Sequence, residues 1–264
     1  MDFELDKIYN EDCLIGMNRI PDGSVDCVIC DLPYGTTVCK WDSVIPFEPL
    51  WEQYRRVCKD NAAIVLFGAE PFSSALRMSN IREWRYDWIW EKTKAPNFMF
   101  LKKQPMRLHE VISVFYRKMP TYNPQMVRGV PYRDSRTELA RRDDAIPTLM
   151  GQTKNIPIVN SGTRYPSDVI RFSNVNRDTY HATQKPVDLI SYLVRTYTNE
   201  GDVVLDNCMG SGTTAIACHN EGRHFIGFEL DRGYYEKACE RFDRECLGII
   251  RRPDGSVVQQ LSLF

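Results

Sequence analysis

Two segments of the chain combine residue types that can do chemistry, and the first is Asp31-Leu-Pro-Tyr-Gly35, which follows the apolar run Val25–Cys30. Because a proline disfavours helix at the residue before it, the carbonyl of Leu32 is expected to stay free of helical hydrogen bonding. If the run is a strand of a parallel sheet, its carboxyl end is where ligands bind. A carboxylate, a free carbonyl and an aromatic ring there can hold a flat base that carries an exocyclic amine. The alternative is a turn with a capping acid and a packed ring.

The second segment is Asp206-Asn-Cys-Met-Gly-Ser-Gly-Thr-Thr214, at a predicted junction of strand and helix. Gly210 and Gly212 let the backbone bend tightly and approach a ligand, and the start of the helix offers unpaired N–H groups. The next predicted strand ends at Glu229, where a carboxylate can accept both hydroxyls of a ribose. Since the third glycine of a dinucleotide fingerprint is missing, the pattern favours another adenosine-containing ligand. A tight turn without a ligand is the alternative.

Strands and helices alternate at both ends of the chain, as a mostly parallel sheet requires. Helical spacing of apolar residues predicts helices such as Glu48–Val57 and Thr213–His219. This alternation predicts an α/β fold with helices on both faces of the sheet. The predicted strands are Val25–Cys30, Ala62–Phe67, Arg85–Glu91, Val111–Arg117, Val203–Leu205 and Phe225–Phe228.

Length and composition limit the class of protein. The 264 residues, 43% hydrophobic and 26% charged, are typical of one soluble globular domain and exclude a disordered or collagen-like chain. No apolar run approaches the about 18 residues of a membrane span, and the acidic Met1–Asp6 does not resemble a signal peptide. Nine scattered cysteines do not suit a secreted disulfide framework. Cys27 and Cys30 fall three apart in a predicted strand, where they face opposite sides, so we expect core cysteines in a cytosolic protein.

The net charge of −1 conceals a basic segment. Residues 92–144 carry twelve Lys/Arg and five Asp/Glu, whereas the remaining chain has an excess of acids. Periodicity also fades between Met119 and Pro166, and a loop of that length in a compact domain is usually functional. A basic module in an acidic body indicates polyanion binding. A solvated loop is the alternative.

Four motifs together resemble those of the amino-group DNA methyltransferases. Asp31-Leu-Pro-Tyr34 resembles motif IV (Asp-Pro-Pro-Tyr), Asp206–Gly212 resembles motif I, and Phe225-Ile-Gly-Phe-Glu229 resembles motif II. His181-Ala-Thr-Gln-Lys-Pro186 resembles motif X, usually His-Pro-Thr-Gln-Lys-Pro. The order IV, X, I is that of the permuted β group. The departures are Leu32 and Ala182, each in place of a proline, and Asn207-Cys208 in place of Pro-Phe.

The resemblance implies a fold, a cofactor and a domain plan. The fold would be the Rossmann-like class I methyltransferase fold, with residues 1–264 as a single catalytic domain. The inserted target-recognition region would occupy about residues 92–175, between motifs IV and X, and residues 251–264 would be a C-terminal tail. S-adenosylmethionine would supply a methyl group to a base that is flipped out of the DNA.

The same resemblance implies roles for individual residues. The Asp31 carboxylate and the Leu32 carbonyl would accept the two amine hydrogens, Pro33 would hold this segment, and Tyr34 would stack on the base. Transfer would be one in-line displacement that depends on orientation and electrostatics. Lys185 would pair with the cofactor carboxylate or lie on the surface, and Asp12 would lie near the adenine or simply open a helix. Glu229 would bind the ribose, and the methionine end would be held by Asp206, Gly210, Ser211, Gly212 and Thr213.

The implied substrate is double-stranded DNA, and the implied reaction is N6 methylation of adenine. An Asp at position 31 favours adenine in the β group, whereas enzymes that act on cytosine N4 often carry Ser there. Cytosine-N4 methylation is the nearest alternative, followed by methylation of protein or RNA and by a fold that binds DNA without catalysis. Contacts to phosphates are predicted, without sequence information, for Lys92, Lys102, Lys103, Arg107, Arg141 and Arg142.

The last five residues, Gln260-Leu-Ser-Leu-Phe264, resemble the short peptide with which bacterial replication proteins bind the polymerase sliding clamp. A flexible tail with this peptide would raise the concentration of the enzyme on newly copied DNA. The alternative is that the tail, from residue 257, folds onto the enzyme's own sheet. The resemblance also implies a homodimer, a role in restriction–modification, and a location in the cytoplasm of a bacterial or phage-infected cell.

Overall fold

The computed structural model describes residues 4–36, 42–95, 97–134, 158–174, 184–251 and 257–259. These residues form two compact units, Met1–Asn123 with Asp168–Phe264, and Pro124–Ser167. The elements in chain order are β1 (Lys7–Tyr9), α1 (Cys13–Met17), β2 (Val25–Cys30), α2 (Phe47–Val57), β3 (Cys58–Gly68), α3 (Phe72–Ser79), β4 (Trp84–Lys92), a 3-10 turn (Phe98–Phe100), β5 (His109–Phe115), β6 (Val127–Arg128), β7 (Tyr132–Asp134), β8 (Ile158–Asn160), β9 (Thr163–Arg164), β10 (Val169–Phe172), α4 (Val187–Tyr197), β11 (Val203–Asp206), α5 (Thr213–Asn220), β12 (His224–Phe228), α6 (Arg232–Cys246), β13 (Ile249–Arg251) and β14 (Val257–Gln259).

The larger unit is built on an eight-stranded sheet in the order β1-β12-β11-β2-β3-β5-β4-β10. Neighbouring strands are parallel except at β5, which runs antiparallel to both β3 and β4. The ends of β2, β11 and β12 therefore meet the start of β5 at one edge of the sheet. We call this the carboxyl edge, and it carries Asp31, Asp206, Glu229 and His109. The mostly parallel α/β sheet confirms the fold class expected from the alternation of elements.

Strand β2 shows why its sequence is almost continuously apolar. Cys27 and Ile29 enter the core that includes Leu189 and Leu193 of α4. Val28 and Cys30 enter a second core, on the other face of the sheet, which includes Leu50 and Tyr54 of α2. Each of these four strand side chains is at most 1% exposed, and a strand covered on both faces needs apolar residues at every position. The two cysteines are therefore free core residues on opposite faces, as the spacing predicted.

Several strands differ from the expectation. Strand β3 begins at Cys58, four residues earlier than predicted, and β5 begins at the polar His109. These ends belong to the sheet because their backbones pair with neighbouring strands. Cys58 pairs with Val25 of β2, and His109 pairs with Glu91 of β4. Strand β10 was not predicted. It has four residues and one buried side chain, so its sequence shows no apolar pattern of a strand. It is a strand because it pairs with β4.

The smaller unit contains two short antiparallel pairs, β6 with β9 and β7 with β8. Within it, the Arg164 guanidinium lies 5.8 Å from the centre of the Tyr132 ring. The predicted inserted region, 92–175, is wider than this unit because it also includes β5 and β10 of the main sheet. Its role in target recognition stays a prediction.

The predicted C-terminal tail, 251–264, begins within a two-stranded antiparallel sheet, because Arg251 of β13 pairs with Val257 of β14. The predicted clamp-binding peptide, residues 260–264, lies outside the described residues. Among the helices that the structure describes, none has both the length and the apolar character that crossing a membrane requires.

Candidate active site

A cavity of about 600 Å³ opens at the carboxyl edge within the larger unit. It brings together eleven residues that the sequence singled out for catalysis or cofactor binding, although they come from five separate parts of the chain. Gly212 does not line it. The eleven are Asp12, Asp31, Leu32, Pro33, Tyr34, Lys185, Asp206, Gly210, Ser211, Thr213 and Glu229.

The segment after β2 presents a carboxylate and a carbonyl to this cavity. The Tyr34 hydroxyl donates to Asp31 Oδ1 at 2.6 Å, and the Lys185 ammonium donates to Asp31 Oδ2 at 2.6 Å. No described residue donates a hydrogen bond to the Leu32 carbonyl, as its place before a proline predicted. The Tyr34 ring stacks on Phe72, with ring centres 4.9 Å apart. Asp31 thus has an ordered carboxylate, and Leu32 has an acceptor that a ligand can use.

Asp42 fixes the loop that follows, and sequence reasoning missed it. Its two carboxylate oxygens accept hydrogen bonds from the backbone N–H groups of Gly35 and Thr36, at 2.8 and 2.9 Å. Gly35 has a φ of 67°, and a Cβ at this position would lie 2.8 Å from Val44, so glycine is required there. Nothing in the local sequence indicates this contact, because an acid seven residues away is an ordinary surface residue until the loop is folded.

A buried chain of alternating charges continues from Asp31. Lys185, which is 8% exposed, lies 3.3 Å from Glu110 Oε2, and Glu110 Oε1 binds the ammonium of Lys92. Burial alone would lower the pKa of Lys185, but the charges of Asp31 and Glu110 outweigh it and raise that pKa. Burial would raise the pKa of Glu110, but Lys185 and Lys92 hold it below its usual value. Lys185 and Glu110 therefore both stay charged at neutral pH.

Glu110 is the second residue that sequence reasoning missed. Its carboxylate is almost fully buried, and no described residue donates a hydrogen bond to Oε2, although the Lys185 ammonium lies close to that oxygen. An acid directly before the apolar residues of β5 was a weak signal of such a site. Lys92, predicted to contact phosphate, lies in the cavity wall with a side chain only 10% exposed. A lysine that contacts DNA phosphates from the protein surface would be exposed, whereas Lys92 is nearly buried.

The turn after β11 has the geometry that its glycines predicted. Gly210 and Gly212 have φ angles of 55° and 76°, in the left-handed region. A Cβ at Gly212 would lie 3.2 Å from the backbone oxygen of Ala238, so the turn also packs closely against α6. The Gly210 N–H donates to Glu229 Oε2 at 2.8 Å, and the Asp231 N–H donates to Oε1 at 2.9 Å. Burial raises the pKa of Glu229, and these two N–H groups offset part of that rise.

Two contacts behind the turn were not predicted. Arg241 of α6 is 3% exposed and donates to the Ser211 carbonyl at 3.0 Å and to the Thr213 hydroxyl at 3.1 Å. Asn207, which stands where the family pattern has proline, accepts a hydrogen bond of 2.6 Å from the Tyr54 hydroxyl. This hydrogen bond joins the turn after β11 to α2.

Asp12 opens a helix, as one of its two predicted positions requires, and its place near the adenine stays a prediction. It begins α1 as the N-cap, with Oδ1 accepting hydrogen bonds from Leu14 N at 2.8 Å and Ile15 N at 3.2 Å, and it also lines the cavity. Lys102, Lys103 and Arg107 are exposed outside the cavity. Arg141 and Arg142, together with His181–Thr183 of the motif X segment, lie outside the described residues.

Comparison with known proteins decides the family. Residues 25–240 match the family model of the DNA methylases named N6_N4_Mtase. The chain belongs to this family. Its members transfer methyl groups to amino nitrogens of DNA bases with S-adenosylmethionine as the methyl donor, so the predicted family and cofactor are confirmed.

Similar proteins and solved structures match nearly the whole chain. The type II methyltransferase M1.MboII of Moraxella bovis is 29% identical over 258 residues, 89% of this chain and 95% of that protein. The crystal structure of the M1.HpyAVI–SAM complex is 22% identical with a TM-score of 0.59, and covers 90% of this chain and 98% of its own. The cytosine-N4-specific PvuII DNA methyltransferase is 17% identical with a TM-score of 0.62, and covers 89% of this chain and 86% of its own. These structures confirm the class I methyltransferase fold, and they leave the target base open.

The buried carboxylate of Asp206 leads to the first testable expectation. It accepts hydrogen bonds from the Thr214 hydroxyl at 2.6 Å and from Cys208 N at 3.1 Å, yet burial raises its pKa to about 6, from 3.8. Between these pH values the folded protein binds the proton more tightly than the unfolded chain does, so this group makes the protein less stable as the pH rises.

We expect Asp206→Asn to raise the free energy of unfolding by up to roughly 3 kcal/mol at pH 8, because it removes the buried charge. The gain should shrink as the pH falls through 6 and should be small near pH 4, because the folded-state carboxyl is then protonated and the unfolded-state carboxyl, with a pKa of 3.8, has begun to take up its proton. Urea unfolding at pH 8, 6 and 4 measures this. A gain that is equal at all three pH values would show that burial of the charge is not its cause.

Proposed function

We propose that the protein methylates the N6 amino group of adenine in double-stranded DNA. The observation that carries this proposal is the Asp31 carboxylate beside the free Leu32 carbonyl, in a cavity that also contains the Gly210–Thr213 turn and Glu229. Two acceptors side by side suit the two hydrogens of an exocyclic amine. Asp at position 31 favours adenine over cytosine, on the family resemblance.

We propose the following roles for the chain's residues in transfer. S-adenosylmethionine supplies a methyl group bonded to a positively charged sulfur. Asp31 and Leu32 accept the two amine hydrogens, which turns the nitrogen lone pair out of the ring and towards that methyl group. The new N–C bond forms as the C–S bond breaks with its electron pair on sulfur, and Asp31 is the nearest base for the proton that the amine then loses. Tyr34 holds Asp31 and provides a ring beside the base, and Pro33 keeps the segment extended.

The polar groups that line the cavity suit the cofactor. Glu229 still has lone pairs for the ribose hydroxyls after accepting the hydrogen bonds of two backbone N–H groups. We propose that Asp206, Gly210, Ser211 and Thr213 hold the methionine end, that Gly212 shapes this turn from outside the cavity, and that Asp12 lies near the adenine. The predicted pairing of Lys185 with the cofactor carboxylate stays a prediction, because two carboxylates of the protein already bind its ammonium.

We further propose that Glu110 is a positioning residue. The Lys185 ammonium donates to Asp31 Oδ2, and in the proposed reaction the target amine would donate to the same carboxylate. Glu110 Oε2 lies 3.3 Å from the same ammonium and accepts no other hydrogen bond from the described residues, so it can take Lys185 when the base arrives. Lys92 binds the other oxygen of Glu110 and holds its carboxylate in place.

Glu110→Gln should therefore lower kcat by roughly tenfold. It should also shift the alkaline limb of the pH profile to lower pH, because one of the two charges that raise the pKa of Lys185 is lost. The matched control is Glu91→Gln on the neighbouring strand, whose carboxylate is exposed and 4.0 Å from Arg171. A lower kcat with an unmoved alkaline limb would indicate a structural role only, and would contradict this assignment.

The test of the function is mass spectrometry of nucleosides from unmethylated genomic DNA that has been incubated with the enzyme and S-adenosylmethionine. We expect N6-methyladenine. N4-methylcytosine without N6-methyladenine would replace adenine with cytosine as the target. Methyl groups in protein or RNA but not in duplex DNA would overturn the proposal.

Three assignments of partner contacts also remain proposals: the sliding clamp, the DNA phosphates and a second copy of the chain. We propose that residues 260–264 bind a sliding clamp, and truncation at Gln259 tests this by loss of clamp binding with activity on naked DNA retained. Equal binding with and without these residues would reject it.

We propose that Lys102, Lys103, Arg107, Arg141 and Arg142 contact phosphates, which predicts strong dependence of DNA binding on salt. Dimerisation is testable by the measured mass in solution.

A further inference from the structure

The segment between β4 and β5 exposes an unusual group of apolar side chains. Met99, Phe100 and Leu101 are consecutive and are 80%, 53% and 51% exposed, and Met106 is 55% exposed. Lys92 and Glu110, which line the cavity, flank this segment on either side. The exposed group is therefore displayed at the carboxyl edge, where the proposed target amine is bound.

The charges of the segment indicate what covers these side chains. Residues 93–108 include Lys94, Lys102, Lys103 and Arg107, and no acid. All four basic side chains are exposed. A second copy of the same segment would repel it, whereas DNA offers phosphates to the basic side chains and an apolar base stack to the others.

The segment is held in shape rather than left loose. Asn97, which is 9% exposed, closes it by accepting a hydrogen bond of 2.8 Å from Arg107 N and donating one of 3.0 Å to the Pro105 carbonyl. The Lys103 N–H donates to the Phe100 carbonyl at 2.8 Å, which fixes the turn at its tip. Asn174, just after β10, accepts hydrogen bonds from Thr93 N at 3.0 Å and Lys94 N at 3.1 Å. Apolar groups on a closed, anchored loop can enter a base stack without first being ordered.

We propose that Met99, Phe100 and Leu101 form a wedge that enters the duplex where the target base leaves it. Extraction of a base costs stacking energy and leaves a gap, and an inserted apolar side chain can fill that gap. Phe100 stacks on the neighbouring bases, while Lys102, Lys103 and Arg107 hold the phosphates on either side. The wedge rests on the extraction of the target base in the proposed function, and it applies to adenine and cytosine targets alike.

The test uses the double variant Phe100→Ala/Leu101→Ala of the full chain. The matched control is Leu247→Ala, since Leu247 is 42% exposed just beyond α6. The first substrate is a duplex with the target base correctly paired, at a site found by sequencing methylated DNA. The second is the same duplex with an abasic position opposite the target, which makes extraction easier.

We expect the double variant to lose at least about tenfold in kcat/KM on the paired duplex and to recover most of that loss on the abasic duplex. It should also reduce the fluorescence rise of 2-aminopurine at the target position when S-adenosylhomocysteine and enzyme are added. Leu247→Ala should behave as wild type in both assays. An equal loss on both duplexes, or no loss on either, would overturn the wedge. A wild-type enzyme that leaves DNA unmethylated would instead overturn the proposed function, so the two failures are distinguishable.

Discussion

Asp31→Asn is expected to lower kcat for DNA methylation by about a thousandfold, the largest effect of any single substitution considered for this chain. The change replaces one carboxylate oxygen with an NH₂ group. If that group faces the target amine, two donors oppose each other, and if it faces Lys185, the ammonium loses its partner at 2.6 Å. The charge that favours removal of the amine proton is lost in either case.

Single-turnover methylation measures this loss, and the affinity for S-adenosylmethionine should stay within about twofold of wild type because Glu229 and the Gly210–Thr213 turn are unchanged. Asp22→Asn is the matched control. Asp22 is exposed, pairs with Arg56, and lies before β2, at the opposite end of that strand from Asp31. A rate for Asp31→Asn close to wild type would remove Asp31 from catalysis.

Glu229→Gln is expected to weaken the binding of S-adenosylmethionine by about 10- to 100-fold. One of the two carboxylate oxygens becomes an NH₂ group, which must then face the N–H of either Gly210 or Asp231. The ribose hydroxyls also lose a charged acceptor. Glu236→Gln, an exposed position on α6 that pairs with Arg232, is the matched control.

The pH dependence of cofactor affinity is a second test of the role proposed for Glu229. Burial raises the pKa of Glu229, so wild-type affinity should fall at acid pH as this carboxylate is protonated. The Gln variant should lack that fall, because its amide does not titrate. Isothermal titration calorimetry between pH 5 and 8 tests both expectations, and parallel pH curves for the two proteins would show that Glu229 does not hold the ribose.

That Asp31, Asp206 and Glu229 lie close together could be predicted from the sequence because of a rule about parallel sheets. Asp31, Asp206 and Glu229 each follow a buried strand, and the carboxyl ends of parallel strands meet at one edge. The three residues accordingly line one cavity. The positive φ angles of Gly210 and Gly212 were also predictable, because local turn chemistry determines them.

The contacts that sequence reasoning missed join distant parts of the chain. Lys185 and Asp31 are 154 positions apart, and their pairing depends on the strand order of the finished sheet. Glu110 lies beside them only because β5 is antiparallel and starts at the carboxyl edge. Arg241 supports Ser211 from a helix that follows two further elements. No local pattern reveals the contacts of Lys185 with Asp31 or of Arg241 with Ser211, and the sequence around Glu110 gave only a weak signal.

The central claim is that Asp31 and Leu32 bind the exocyclic amine of an extracted adenine. The most direct measurement is a crystal structure of the enzyme with S-adenosylhomocysteine and a duplex that contains its methylation site. We expect the adenine N6 nitrogen within about 3.2 Å of both a carboxylate oxygen of Asp31 and the Leu32 carbonyl, with Lys185 moved towards Glu110. An extracted base bound away from Asp31, with the Lys185–Asp31 pair intact, would contradict it.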